Sequence, residues 1–279
     1  MGEEVGVEGR FGRVHGQRFG SPEAPLVVAV HGLAGNGRVF DFLGERLGGE
    51  GLQLVAVDLR GRGRSGATGV GTYGWENHAG DVFAVAEALG VERFGVIGLS
   101  MGGSVAMKAA ELDGQRLDAV VLLDVAGRVD PGVGPVIASV IGGLGEVHDS
   151  ADSYLAAVRA QGLVEPWSEH WGRYYRDGLE EVEGGVRAAV RAEAVAEDRR
   201  YTLTQDPYDR WKHLTMPTLL VRAAQELRPG AGYVVPADDR DRFLREVPHG
   251  EVVEVDANHL TVATHPDTAD AIRRFLPVG

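Results

Sequence analysis

Five residues, Gly98-Leu-Ser100-Met-Gly102, have the spacing that holds a serine hydroxyl at a sharp corner between a strand and a helix. Phe94 to Leu99, leading into the corner, is apolar and of strand length; Ser104 to Ala110, beyond it, is a helical run of mostly small residues. A backbone folded back so tightly tolerates almost no side chain two positions before and two after the serine, which glycine supplies. A helix starting at Met101 aims its free N–H groups and positive dipole end at the space above Ser100, which suits a developing oxyanion. Glycine makes up 41 of the 279 residues, so the pattern alone is weak, and the strand and helix around it give it weight.

A serine hydroxyl becomes a nucleophile when a base takes its proton, and histidine is the side chain best poised near neutral pH for that. His259 follows the apolar-acidic stretch Val252 to Asp256, and so is expected on a loop at the sheet edge that carries Ser100. His15, His78, His148, His170, His213, His249 and His265 are expected on the surface or in packing. No pair has HExxH spacing, so no metal site is expected. Two carboxylates could orient the imidazole. Asp124 ends the unbroken run Val120-Val-Leu-Leu and is favoured, because rigid elements place side chains more accurately than loops. Glu226 opens a long glycine-bearing loop, Leu227 to Val235, and remains the alternative.

The elements that must position these groups are legible as alternating apolar strands and amphipathic helices. Residues 4–20 alternate as an edge hairpin, and strands are expected at 26–30, 52–57, 94–99 and 118–123. Helices are expected at 38–47, 76–90 and 101–112 between them. After an interruption the alternation resumes with a strand at 218–222, a helix at 237–246, a strand at 251–255 and a helix at 264–276. Continuous apolar strands separated by helices imply an α/β fold, a mostly parallel central sheet covered on both faces. From 126 to 215 no buried strand is expected, only helical segments near 135–141, 151–160, 168–176 and 186–197. The expected organisation is a core of 1–125 and 216–279 with an inserted helical cap, 126–215, over the sheet edge where such folds bind ligands. Trp167, Trp171, Tyr174 and Tyr175 cluster in the insertion, either as its own core or as a pocket lining.

His31-Gly32 after one strand, Asp58-x-Arg60-Gly61-x-Gly63-x-Ser65 after the next, the Ser100 corner and Asn258-His259 together resemble the α/β-hydrolase superfamily over nearly the whole chain. The chain order serine, acid, histidine is also that family's. The resemblance implies an α/β-hydrolase fold and a serine attacking a carbonyl, with a catalytic triad of Ser100, His259 and Asp124. It makes His31 a shaper of the oxyanion loop and gives the backbone N–H groups of Leu33 and Met101 as oxyanion-hole donors. The implied activity is serine-esterase hydrolysis of a carboxylic ester or lactone through an acyl-serine, with no cofactor. C–C, thioester or amide hydrolysis on the same triad, and a non-catalytic small-ligand receptor of the same fold, are the alternatives. Serine at the corner argues against the family branches with a carboxylate nucleophile.

The rest of the composition narrows the field. A net charge of −13 opposes non-specific binding to nucleic acid or anionic membrane. Arg60, Arg62 and Arg64 therefore read as salt-bridged loop residues, and Gly61 to Gly66, a G-x-G-x-x-G match without a following helix, not as a dinucleotide site. With no cysteine there is neither disulfide nor thiolate chemistry. The acidic start has no apolar signal region and no run of about 18 apolar residues occurs, so a cytoplasmic protein is expected, with a partly apolar or aromatic small molecule as its partner.

Overall fold

Period-two alternation inside unbroken apolar runs decides the layering. Each strand sends one set of side chains to each face, so a strand covered on both sides must be apolar throughout. The computed structural model describes residues 2–276. Its first half runs β1 (Glu3–Gly9), β2 (Gly12–Phe19), β3 (Leu26–Val30), α1 (Asp41–Gly49), β4 (Gln53–Val57), α2 (Trp75–Ala88), β5 (Phe94–Leu99), α3 (Met101–Asp113) and β6 (Leu117–Leu123). The segment before β9 holds α4 (Val133–Gly142), α5 (Ala151–Ala160), α6 (Glu169–Asp177), the hairpin β7 (Leu179–Val182) and β8 (Gly185–Ala188), and α7 (Ala192–Leu203). The chain closes with β9 (Thr218–Ala223), α8 (Ala237–Glu246), β10 (Gly250–Val255) and α9 (Pro266–Phe275).

One eight-stranded sheet has the order β1-β2-β4-β3-β5-β6-β9-β10. The β1–β2 and β2–β4 pairs are antiparallel and the rest are parallel. Val28, Val30, Val96, Val120 and Leu122 face a core layer shared with α2 and α3, including Val82 and Val105. Their neighbours Val27, Ala29, Ile97, Val121 and Leu123 face a second layer with Leu43 and Leu47 of α1 and Ile272 of α9. The chain passes from β3 outward to β4 and then back across to β5, so the strand order reverses between β3 and β5. In open α/β sheets ligands bind at the C-terminal edge beside such a reversal.

Residues 126–215 differ from their expected form at one place. Residues 185–188 are a strand paired with 179–182, and the last helix begins only at Ala192. Gly184 and Gly185, at φ 87° and 140°, turn the chain back, and Val182 and Val186 favour extended backbone. Among the described residues no helix is long and apolar enough to cross a membrane.

α3 presses onto the sheet so closely that glycine is required at its first turn. A Cβ on Gly102 would lie 1.9 Å from the carbonyl oxygen of Val30, and one on Gly98 would lie 2.3 Å from that of Gly102. Both obstacles are backbone and cannot rotate away. Gly102→Ala is therefore expected to cost about 3 kcal/mol or more. A urea melt checks it: the midpoint should fall with an unchanged slope, or the protein should fail to fold.

Candidate active site

Ser100 stands between β5 and α3 at φ 55° and ψ −124°, a backbone region that L-residues with a side chain seldom occupy. Its N–H is tied to the Leu123 carbonyl at 3.1 Å and its carbonyl accepts from Gly103 N–H at 2.9 Å, so the corner is held from both sides. Asp124, one residue past β6, has φ 49°. Ser100 and Asp124 are the two non-glycine residues with positive φ among the described residues. Such strain persists only where the surroundings over-determine it, and it concentrates at functional sites.

Asp124 is 2% exposed and both its carboxylate oxygens are engaged. Oδ1 accepts from Ala223 N–H at 3.0 Å and Oδ2 lies 2.9 Å from Nδ1 of His259. With both oxygens acting as acceptors, the carboxylate places the imidazole proton on Nδ1 and leaves the Nε2 lone pair free. His259 follows β10 on the loop 256–260. Asn258 beside it braces that loop, its Oδ1 accepting from Leu260 and Thr261 N–H at 3.0 Å each. Nδ2 of Asn258 donates to the Leu163 carbonyl in the insertion at 2.9 Å. Glu226 lies elsewhere, half-buried, accepting from Gly230 N–H at 2.7 Å within its own loop. The structure thus brings Asp124 and His259 together and leaves Glu226 capping a turn.

The loop after β3 approaches Ser100 directly. A Cβ on Gly32 would be 3.3 Å from the Ser100 Cβ and 3.8 Å from its Oγ. His31 is fully buried, accepts from Leu59 N–H through Nε2 at 3.0 Å and donates from Nδ1 to the Gly32 carbonyl at 2.7 Å. That carbonyl also accepts from Gly35 N–H at 3.2 Å. A trans peptide points its N–H opposite its C=O, so these two bonds fix the direction of the Leu33 N–H. Met101 opens α3, 7% exposed.

Burial pulls the pKa of His31 down from 6.5 to about 3, because a charged ring there would be desolvated with its Nε2 facing a donor. Between those values the unfolded chain binds a proton that the folded chain refuses, so stability is fully present above pH 6.5 and falls as pH drops toward 3. The slope from this residue approaches about 1.4 kcal/mol per pH unit. His31→Asn, which keeps an acceptor but no titration, should show a smaller drop in Tm between about pH 7.5 and pH 5 than the wild type.

Arg60, Arg62 and Arg64 are each paired. Arg60 meets Asp81 at 2.7 Å, Arg62 meets Asp198 at 2.7 Å, and Arg64 meets Glu4. His78 and Asp198 were not legible as a pair in the sequence. They lie 120 residues apart, both are fully buried, and their side chains meet at 3.0 Å. No local pattern signals such a long-range contact. The aromatic residues of the insertion pack on one another, with Trp167 and Tyr175 stacked at 5.7 Å and Trp171 only 2% exposed. They join the core layer that holds Phe40 and Leu43, so they pack residues 167–175 onto the sheet layer. Among the described residues no group of three or more His, Cys, Asp or Glu is gathered to hold a metal ion.

Residues 25–266 match the family model described as the alpha/beta hydrolase fold. The chain belongs to the α/β-hydrolase family. A putative carbamate hydrolase of Agrobacterium fabrum is 26% identical over 91% of this chain and 92% of its own length. The N-formylmaleamate deformylase of Pseudomonas putida is 34% identical over 40% of this chain and 41% of that enzyme. For this deformylase and for a serine hydrolase-like protein of Danio rerio, 36% identical, the match spans 41% and 36% of the relative's length. Among solved structures, E-2-(acetamidomethylene)succinate hydrolase superposes with a TM-score of 0.84 at 24% identity, covering 99% of each chain. An α/β-hydrolase of Novosphingobium aromaticivorans gives 0.79 at 25% identity, covering 98% of this chain and 97% of that one.

Proposed function

We propose that this α/β-hydrolase cleaves a carboxylic ester or lactone through an acyl-serine on Ser100, with His259 as base and Asp124 as its orienting acid. One observation carries the reading: the imidazole of His259, held at Nδ1 by a doubly engaged buried carboxylate, sits on the same sheet edge as a serine in strained corner geometry. Nε2 takes the Ser100 proton as Oγ bonds to the carbonyl carbon, and the resulting oxyanion is met by the N–H groups of Leu33 and Met101. The imidazolium then protonates the leaving oxygen as the acyl–oxygen bond breaks. Water repeats the sequence on the acyl-serine, giving the carboxylic acid and restoring the hydroxyl. Asp124 stabilises the imidazolium without taking its proton.

Residues 126–215 serve as the cap in this reading, since they contact both the loop after β3 and the loop of His259. Leu260, next to His259, packs with Leu163 and with Val133 and Val136 of α4, so an apolar part of the substrate is expected on that side. A second reading, cleavage of an acyl C–N bond, draws support from the names of the deformylase and the carbamate hydrolase above. Only the leaving atom differs, and protonation by His259 matters more for nitrogen because an amine anion leaves poorly.

Matched ester, lactone, thioester, amide and carbamate panels distinguish these readings. Fastest turnover on oxygen leaving groups supports the first, and fastest turnover on amides or carbamates supports the second. A protein that binds panel members but turns over none of them, and takes no fluorophosphonate, is a receptor rather than an enzyme.

A further inference from the structure

The loop after β3 is gripped by a side chain that lies outside the proposed set of Ser100, His259 and Asp124. Arg62 is 0% exposed, and its Nε and Nη2 both donate to the Leu33 carbonyl, at 3.0 and 2.9 Å. Nη1 donates to the Arg60 carbonyl at 2.9 Å. The guanidinium plane is thereby fixed at each of its three nitrogens. Its charge is matched by one carboxylate, Asp198 on α7 of the insertion, whose Oδ2 lies 2.7 Å from Nη2. Asp198 is itself 0% exposed, accepting from Gly74 N–H at 2.7 Å and meeting Nε2 of His78 at 3.0 Å. Backbone bonds stitch the same segments together, Arg191 N–H to the Gly61 carbonyl at 2.8 Å and Gly63 N–H to the Ala189 carbonyl at 3.0 Å.

The consequence falls on one residue. The peptide before Leu33 is fixed through the Gly32 carbonyl, held by His31 and Gly35, and the peptide after it is fixed through the Leu33 carbonyl, held by Arg62. With both flanking peptide planes anchored, the Leu33 N–H has no free rotation left. We propose that Arg62 is a positioning residue that aims the Leu33 N–H, and that Asp198 on α7 holds it there, so that a competent oxyanion site requires the insertion to be seated. This rests on the reading of Leu33 as an oxyanion donor. A buried guanidinium deprived of Asp198, its one carboxylate partner among the described residues, is costly, which ties the order of the loop to the position of α7.

Arg62→Lys keeps the charge but cannot fork onto one carbonyl while reaching Asp198 and Arg60. Asp198→Asn keeps the volume and removes the countercharge. Asp81→Asn breaks the neighbouring buried pair with Arg60 and serves as the control for lost stability alone. Each protein is titrated with a fluorophosphonate, and kcat is expressed per titrated site on the best substrate of the panel. Both Arg62→Lys and Asp198→Asn should lower kcat about 10- to 100-fold with KM within about threefold, and weaken a trifluoromethyl ketone inhibitor by the same factor. Asp81→Asn should change none of these. If the first two variants lose stability yet keep wild-type kcat per titrated site, Arg62 is merely structural and the inference is overturned. A wild type that cleaves nothing and takes no phosphonate instead overturns the reading of Ser100, and the inference with it.

Discussion

Ser100→Ala is expected to abolish acyl hydrolysis, lowering kcat by at least about 10⁴-fold, and to leave the protein folded with a Tm within a few degrees of wild type. The size of the loss follows from what the hydroxyl supplies. Without it no acyl-enzyme forms, and what remains is polarisation of the carbonyl by the N–H groups around it. The fold is spared because the corner is built by backbone bonds from Ser100 to Leu123 and Gly103, and by glycines at 98 and 102, none of which needs the hydroxyl. Steady-state kinetics on the panel and a thermal melt check both halves. A variant that retains a tenth of wild-type activity would remove Ser100 from the mechanism.

Asp124→Asn is expected to lower kcat by about 10⁴-fold with little loss of stability, while Glu226→Ala changes kcat less than about threefold. Asparagine tolerates the left-handed backbone that Asp124 adopts at φ 49°, so the corner after β6 survives the substitution. What it loses is one of two acceptors. The amide oxygen can receive the Ala223 N–H or the His259 Nδ1–H, but the other position is then faced by an NH₂ group. If the NH₂ faces the ring, the proton moves to Nε2 and the imidazole can no longer act as base toward Ser100. Glu226 accepts from the Gly230 N–H within its own loop, so its removal loosens that loop without touching the ring. Equal losses in the two variants, or the larger loss in Glu226→Ala, would contradict the assignment of the acid.

Much of this arrangement was legible in the residues, for reasons of period and punctuation. Buried parallel strands read as unbroken apolar runs, and β3, β4, β5, β6 and β9 each lie within a residue or so of where their runs place them. Local chemistry also marked the corner at Ser100, because the glycines two positions either side are demanded by contacts with nearby backbone. What stayed hidden were contacts between distant segments that no motif links. The hairpin at 179–188 has only four residues in each strand and half-buried side chains, so it carries no clean alternation, and residues 186–191 read as the start of a helix. Arg62 looked like one of three loop arginines and His78 like a packing residue. Only folding brings α7 over the loop after β3 and reveals that Asp198 joins them. The aromatic residues were open to two readings because composition reports the area they bury and not what they bury it against.

In the proposed reaction a hydroxyl on the β5–α3 corner attacks a carbonyl whose oxygen is received by two specific peptide N–H groups. The structure of the protein after reaction with a fluorophosphonate tests this most directly. A single phosphonyl group is expected on Ser100 Oγ, with its phosphoryl oxygen about 2.7–3.1 Å from both the Leu33 and the Met101 nitrogen and the His259 ring on the opposite side. A phosphonyl on another residue, or one on Ser100 with its oxygen turned away from both nitrogens, would contradict it.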